Sequence, residues 1–435
     1  MTDNTPNKGS VQELKIISNY SGKDLNLTDG FLELILYESI LSYTVFAEMS
    51  FVDTGHRQTQ NGTATMEGDD INLVSNEKIE LKVTDANNQI INCKGNNHLR
   101  INTIKSVDET VKKSIISLDL HSKERIDNEL VETRLTNRYD GKISDSVFNI
   151  LRNALRTPKT IDIDQTLNEF NFIGHLEKPF HKIPWLAKRS VPDMPNAKGN
   201  LAGYFFYETF DDGSGTGGYK FKSIDKLWSQ TPKRKLIYND LISIPTGYSG
   251  KILAYSFDSN LSVDRALKSG ALSSSVIKTF DPRTNNYKED TFTDKDRLKP
   301  ANIGGLETPK LGIDGATRIS SRVRDTGVLP LGSNLKSQLN SADQQNFNME
   351  EIIRQSYTRY NNLFTVKLSI TIYADFGIHV GDIIECDFPE VSGKDKTIVS
   401  NKKSGRYMVI DLAHRVHSTG FYSVLNLARE SIRKK

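Results

Sequence analysis

FGIHVGDIIECDFPE, residues 376–390, sets the reading of this chain. Gly377 and Gly381 supply the backbone freedom that tight turns demand. Asp382 to Phe388 then read as a strand, and Pro389 ends it because proline has no amide to give a sheet ladder. A turn and strand of this kind form the lip of a β-barrel. Upstream, Phe364, Val366, Leu368, Ile370 and Ile372 alternate with polar residues, the two-residue period of a half-buried strand. Before them Met349, Ile352, Ile353, Tyr357 and Tyr360 form one helical stripe, with Asn348 as N-cap and Glu351 reaching back. Downstream, 406–416 and 421–429 are two strands joined by His417-Ser418-Thr419-Gly420, a hairpin.

The other end of the chain is also β-rich. Leu41, Tyr43, Val45, Ala47, Met49 and Phe51 alternate with polar residues, Phe46 being the exception. Ile79, Leu81 and Val83, then Leu99, Ile101 and Ile104, then Ile116, Leu118 and Leu120 mark further strands, so 10–122 reads as a barrel or sandwich. At residue 143 the period changes. Ile143, Val147, Ile150, Leu151, Ala154 and Leu155 recur at helical spacing. Ser144 is the expected N-cap, Ile143 and Phe148 a hydrophobic staple, and Pro158 the stop. A second helix is expected to start at Pro184, since proline suits a first helical position.

Residues 204–207 and 219–221 read as a hairpin around the loop DDGSGTGG, 211–218. This glycine-rich loop lacks the Gly-Lys-[Ser/Thr] ending of a phosphate loop and leads into a strand, so no helix N-terminus is there to hold an anion. Beyond it, 251–260 reads as a strand and 276–292 as strand, turn, strand, with Asn285-Asn286 suited to left-handed angles. Residues 298–345 are rich in Gly, Ser, Asn, Asp and Pro and read as an extended arm.

Composition narrows the function. Fifty-seven basic against 54 acidic residues leave a net charge of +3, too little for a whole-molecule field that would draw nucleic acid or an anionic membrane. The basic clusters Lys402-Lys403 with Arg406, and Arg429 with Arg433-Lys434-Lys435, read as solvated faces. Two cysteines, Cys93 and Cys386, fit a reducing compartment, and no Cys-x-x-Cys or His-x-x-x-His pair suggests zinc. The first residues do not read as a signal peptide, and no apolar run reaches the roughly 20 residues of a membrane helix. The carboxylate pairs Asp69-Asp70, Asp211-Asp212 and Glu350-Glu351 are adjacent in sequence, not arranged across a cleft as a hydrolase requires. His414 and His417 are an odd number apart on a strand and point to opposite faces. No Gly-x-Ser-x-Gly is present. The expectation is a non-enzyme without cofactor or metal.

Four stretches, taken in order, resemble the central baseplate hub of contractile-tailed bacteriophages: 143–155; the run from Pro184-Trp185-Leu186-Ala187 through Tyr207-Glu208-Thr209 to Phe221-Lys222-Ser223-Ile224-Asp225; 349–389; and Gly405-Arg406-Tyr407-Met408-Val409 with Leu425-Asn426-Leu427-Ala428-Arg429. The fold class this implies is mainly β with some α: two tail-tube-like β-barrel domains plus an inserted mixed α+β domain. The expected boundaries are 10–122 for the first barrel, 123–245 for the insert, 246–297 with 363–430 for the second barrel, and 298–362 for an arm and helix.

The resemblance further implies a homotrimer whose six barrels make a pseudo-sixfold ring between a trimeric cell-puncturing spike and the hexameric tail tube, open for genome passage. Its implied partners are a separate spike protein, because the sequence ends at Lys435 without needle-like repeats, tube or tube-initiator proteins, the tape-measure protein and wedge proteins. Genomic DNA would touch it only in transit. The implied location is the virion tail baseplate, after assembly in the host cytoplasm. Type VI secretion spikes and extracellular contractile particles share this fold. The alternatives are a hub-associated peptidoglycan hydrolase and a tail-hub protein of a non-contractile phage. Aromatics are enriched at subunit interfaces, and the candidate interface residues are Tyr43, Phe46, Tyr357, Tyr360, Asp382, Tyr407 and Arg429. Trp185 reads as core, and Trp228 as core or interface.

Overall fold

The computed structural model describes residues 9–19, 22–53, 73–109, 114–193, 201–239, 244–259, 274–282, 285–292, 316–324, 327–332, 334–345, 349–390, 399–400 and 402–429. The carboxylates Asp69-Asp70, the cap Asn348, the tail Arg433-Lys434-Lys435 and residues 298–315 of the expected arm lie outside them.

Eight strands open the chain: β1 (Ser10–Ile17), β2 (Asp24–Asn26), β3 (Phe31–Ser39), β4 (Phe46–Asp53), β5 (Lys78–Thr84), β6 (Ile90–Cys93), β7 (Leu99–Glu109) and β8 (Ser114–Ser122). A mixed region follows, with α1 (Lys123–Asp127), β9 (Arg138–Tyr139), α2 (Ile143–Asn149), β10 (Thr160–Ile163), β11 (Phe172–Ile173), α3 (Pro179–Ala187), β12 (Tyr204–Thr209), β13 (Gly218–Ser223) and α4 (Ile224–Ser229). The remainder holds β14 (Arg234–Ile237), β15 (Gly250–Lys251), β16 (Ala254–Ser259), β17 (Ser274–Asp281), β18 (Asn286–Phe292), β19 (Ala316–Val323), α5 (Leu335–Gln345), α6 (Met349–Leu363), β20 (Val366–Tyr373), β21 (Ile383–Asp387), β22 (Gly405–His417) and β23 (Gly420–Arg429). No described helix is long and apolar enough to cross a membrane.

The fold is mostly β, with several sheets and a smaller helical content, as the fold class anticipates. Fifteen strands form one sheet that runs β2-β1-β5-β7-β8-β4-β3-β22-β21-β14-β15, with β23, β20 and β16 branching from β22 and β6 from β5. The seam is β3 against β22, antiparallel, with Leu36 opposite His414 and Ser39 opposite Asp411. Early and late strands are therefore neighbours in one ladder that serves two cores. One core gathers Leu14, Leu36, Met49, Phe51, Leu81 and Leu118 and is closed by Phe376 from the turn after β20 and Phe421 from β23. The other gathers Leu368, Ile370, Ile384, Met408, Leu425 and Leu427. A third, around Val147, Leu151, Phe180, Tyr219 and Phe221, also buries Met349 and Ile352 of α6.

Several local expectations are corrected by the packing. The strand read from Leu41 begins at Phe46, because residues 40–45 make the turn from β3. Phe46 interrupts the alternation because it sits on the outer face, stacked on Tyr37 at 4.5 Å. The odd step from Ile101 to Ile104 is a bulge in β7 against β8. Ser144 lies inside α2 rather than capping it; its amide donates to Thr166 Oγ1 (3.0 Å) and its hydroxyl to Gln165 Oε1 (3.1 Å). Phe148 is exposed while Ile143 is buried, so they form no staple. The second helix starts at Pro179, with Asn128 Oδ1 accepting the Phe180 amide at 2.9 Å, and Pro184 lies within it. Of the two glycines in the opening stretch, only Gly381 has positive φ.

The 274–292 hairpin forms with Asn285 at φ +53°, but it does not join the large sheet. It pairs with β19 in a separate three-stranded sheet, so part of the expected arm is strand and, in α5, helix. The 204–223 hairpin forms in register, Tyr204 opposite Ser223 and Thr209 opposite Gly218, and β10 runs parallel to β13. The pair Asp211-Asp212 organises its loop: Asp211 Oδ1 accepts from the amides of Gly215 (2.9 Å) and Gly217 (3.3 Å), and Asp212 Oδ1 from that of Ser214 (2.9 Å).

Gly218 shows why this hairpin tolerates no side chain there. Its φ is +134°, and a Cβ would lie 2.4 Å from the Thr160 carbonyl oxygen in β10. Gly215 also has positive φ (+80°) but has nothing within 4 Å. Gly215→Ala should cost about 1 kcal/mol from backbone conformation alone, and Gly218→Ala roughly 2 kcal/mol or more because β10 must also move. Urea midpoints of the two variants measure the difference, and equal losses would contradict this account.

Candidate functional site

The residues that stand out hold the parts of this molecule together and shape its surface. Glu38 is the centre of the first group. It follows Leu34 and Leu36 on the core face of β3 and is fully buried. Its Oε1 accepts the amide of Phe210 (2.7 Å) and pairs with His379 Nδ1 (2.9 Å), and its Oε2 accepts the amide of Val380 (3.1 Å). One carboxylate therefore ties β3 to the end of β12 and to the turn of the opening stretch.

Burial by itself would raise the Glu38 carboxyl, but the facing His379 and the two amides outweigh it, and the group is held below its ordinary value of 4.5. For His379 burial opposes the charge, and Glu38 overcomes it, so the imidazolium is favoured above its ordinary 6.5. Asp382 adds to this, accepting the His379 amide at 2.8 Å, while Lys233 opposes it. His379 lines a polar cleft of about 630 Å³ between the mixed region and the late strands. The cations of that cleft are neutralised within the chain: Lys222 by Asp162 (2.5 Å) and Asp164 (3.1 Å), Lys233 by Asp382 (2.9 Å), and Arg234 by Asp375 (2.6 Å).

A second buried cluster ties the mixed region to the early strands. Lys159 Nζ lies 2.8 Å from Glu124 Oε2, 2.6 Å from Glu208 Oε1 and 2.6 Å from Ser122 Oγ. Glu208 Oε2 accepts the Val45 amide at 3.0 Å, and Thr157 Oγ1 donates to Glu124 at 2.7 Å. One lysine serves two carboxylates, so they diverge. Burial and the neighbouring Glu124 push Glu208 up despite Lys159, whereas at Glu124 the lysine prevails over burial and holds the group down.

The structure separates the expected interface residues into two kinds. Tyr43, Tyr357 and Tyr360, distant in sequence, line one apolar groove of about 350 Å³ together with Leu41, Pro184 and Phe364. Leu41 is 63% exposed and Tyr357 41%. Tyr43 stacks on Phe180 at 4.9 Å. The Tyr360 hydroxyl donates to the carbonyl of Tyr204 and accepts its amide at 3.0 Å, and burial pushes it well above the usual phenol range. The others lie elsewhere. Phe46 is on the outer sheet face with Tyr37. Asp382 is occupied in its own turn. Tyr407 is fully buried, its hydroxyl donating to the Lys403 carbonyl, and Arg429 lies over its ring at 4.6 Å while donating to the carbonyls of Ser404 (2.8 Å) and Lys402 (2.5 Å). Both lock the ends of β22 and β23 to the 402–404 turn.

Other sequence candidates resolve simply. His414 is buried on Ser423 Oγ (2.7 Å), its pKa pressed down to about 4 by burial, while His417 bonds Thr419 (2.8 Å) at the hairpin turn. Trp185 packs in the third core beneath Arg189, and Trp228 is buried in the second. Cys93 and Cys386 are free and buried, and burial pushes the Cys93 thiol up to about 12. Among the described residues no group of three His, Cys, Asp or Glu side chains could hold a metal ion.

A second surface went unread. Residues 174–177 close a turn, Glu177 N donating to Gly174 O at 3.0 Å, whose central residues His175 and Leu176 both have positive φ, +51° and +57°. Such turns favour Asn-Gly, and each bulky residue there costs about 1–2 kcal/mol. Leu176 is 66% exposed.

Neither a protein-family model nor a curated protein matches the sequence. Solved structures do. The 43 kDa tail protein of prophage MuSo2 from Shewanella oneidensis aligns over 97% of this chain and 98% of its own, with a TM-score of 0.52 at 11% identity. The tail protein from Neisseria meningitidis MC58 aligns over 97% of each chain, with a TM-score of 0.50 at 10% identity. This chain therefore shares the fold of these two tail proteins over 97% of its length.

Two predictions follow from the buried charges. The His379 contribution is complete below about pH 6.5, where the imidazole is protonated even unfolded, and is lost as pH rises through its raised folded pKa. The Glu38 contribution is present above about pH 4.5 and is lost as pH falls through its depressed folded pKa. Stability of the wild type should therefore fall as pH rises above about 6.5, and His379→Gln should flatten that limb in urea titrations; an unchanged slope would refute the assignment. Lys159→Met leaves Glu124 and Glu208 facing each other in the interior and should cost about 3–5 kcal/mol; restoring most of the loss by adding Glu208→Gln would show that the bare charge is responsible.

Proposed function

We propose that this chain is the structural hub of a phage tail baseplate. Three copies form a closed ring in which the two sheet-borne cores of each chain act as barrel-like units, six in all. The ring adapts a threefold spike, made by a separate protein, to the sixfold tail tube, and it leaves a channel for the genome. Tube or tube-initiator proteins, the tape-measure protein and wedge proteins are its further neighbours, and DNA passes without sequence-specific binding. The role is structural and needs no bond chemistry, and its place is the tail of the virion.

The observation that carries this reading is the likeness to two tail proteins over nearly the whole length of both chains, which matches the class inferred from the sequence motifs. Cyclic symmetry is the common solution when one chain must build a ring. The sheet edges left at β2, β15 and β16 supply backbone groups for neighbouring chains.

The test is the mass of the purified protein across concentration. A species near three times 48.9 kDa is expected. A monomer at every concentration, alone and with a spike protein, would overturn the reading.

A further inference from the structure

The strained turn and the apolar groove lie at opposite ends of one helix. The turn at 174–177 immediately precedes α3, while Pro184, Ala187 and Lys188 at the end of α3 line the groove. From Pro179 to Pro184 and Ala187 the helix axis advances roughly 7–12 Å, so the rigid helix keeps a chain from filling its own groove with its own turn. The turn is not alone. Residues 128–135 run beside it, tied at both ends: Phe180 N donates to Asn128 Oδ1 (2.9 Å), Lys178 pairs with Glu129, and Leu135 N donates to Glu177 O (3.0 Å). On this tied segment Leu130 is 49% exposed and Val131 82%. Together the tied segments present an aliphatic knob, of which the His175-Leu176 turn has a backbone its residues disfavour. Strain that is maintained and displayed in this way marks a site of interaction.

We infer that the Leu176–Val131 knob of one copy seats in the Leu41–Tyr357 groove of the next, joining unlike faces head to tail around the ring. This rests on the hub reading and names the surface by which copies meet. The groove is apolar, with Lys188 the one charged residue of its lining, and the knob carries an exposed carboxylate, Glu132, next to Val131. An apolar contact rimmed by one opposite-charge pair is the anatomy of a protein interface. A head-to-tail contact of unlike faces is also the kind that generates rings.

Two cysteine variants test it directly, because native Cys93 and Cys386 are buried. Val131→Cys and Tyr357→Cys are prepared as separately tagged chains, mixed, and oxidised with copper phenanthroline, which accepts the electrons of the two thiols. A disulfide-linked dimer should form in the mixture and in neither variant alone. Linking by Val131→Cys alone would mean that like faces meet and would overturn the inference. No linking in the mixture while the mass remains that of a trimer would place the contact elsewhere and leave the hub reading intact; a monomer at all concentrations would remove both. As a second readout, Glu132→Lys and Lys188→Glu should each raise the concentration for half-assembly about two- to fivefold, and the double reversal should restore it. Losses that add in the double variant would refute the pairing.

Discussion

The carboxylate of Glu38 is the constraint on which the rest of this structure depends. A charge in a protein interior is tolerated only when it is paired and hydrogen-bonded. Glu38 obtains one amide from the end of β12, and one amide and one imidazole from the turn at 379–380. Neither partner is near it in sequence. Moving any one segment would leave a buried carboxylate short of a donor, so the pairing of β3 with β22, the hairpin of the mixed region and the turn before β21 are set together. Hydrophobic contact is non-directional and would not by itself specify that register.

The second cluster repeats the arrangement with one cation set between two carboxylates. Lys159 has two carboxylates to satisfy, and the surplus negative charge is distributed to backbone amides and hydroxyls at Val45, Ser122 and Thr157. Both clusters lie where chain segments of different cores meet. Apolar packing builds each core, and buried ionic groups fix how the cores are joined.

The surface divides along the same line. The polar cleft beside His379 is rich in lysine, yet Asp162, Asp164, Asp375 and Asp382 hold its cations internally. The apolar groove and the aliphatic turn instead display carbon: Leu41 is 63% exposed and Leu176 66%. Exposed apolar surface that is rimmed by polar residues is the signature of an association surface, and here two such surfaces occupy the ends of one helix.

Much of the β architecture was determined by the sequence alone. Period-two alternation in 79–83, 116–120 and 366–372, and the hairpins at 204–223 and 405–429, depend on neighbours along the chain and survive any tertiary arrangement. Glu38 had one local signal: it follows Leu34 and Leu36 at two-residue steps, where a carboxylate on a core face calls for a partner. That the partner is His379 was not legible, because the two are 341 positions apart and only the β3–β22 seam brings them together. The convergence of Tyr43, Tyr357 and Tyr360 on one groove, the burial of Tyr407 and Arg429 in a strand-end lock, and the diversion of the 274–292 hairpin into a separate sheet were decided by tertiary packing. Local pattern tells a residue which face of its own element it occupies. Which element covers that face is set by contacts across hundreds of residues, and no local period encodes them.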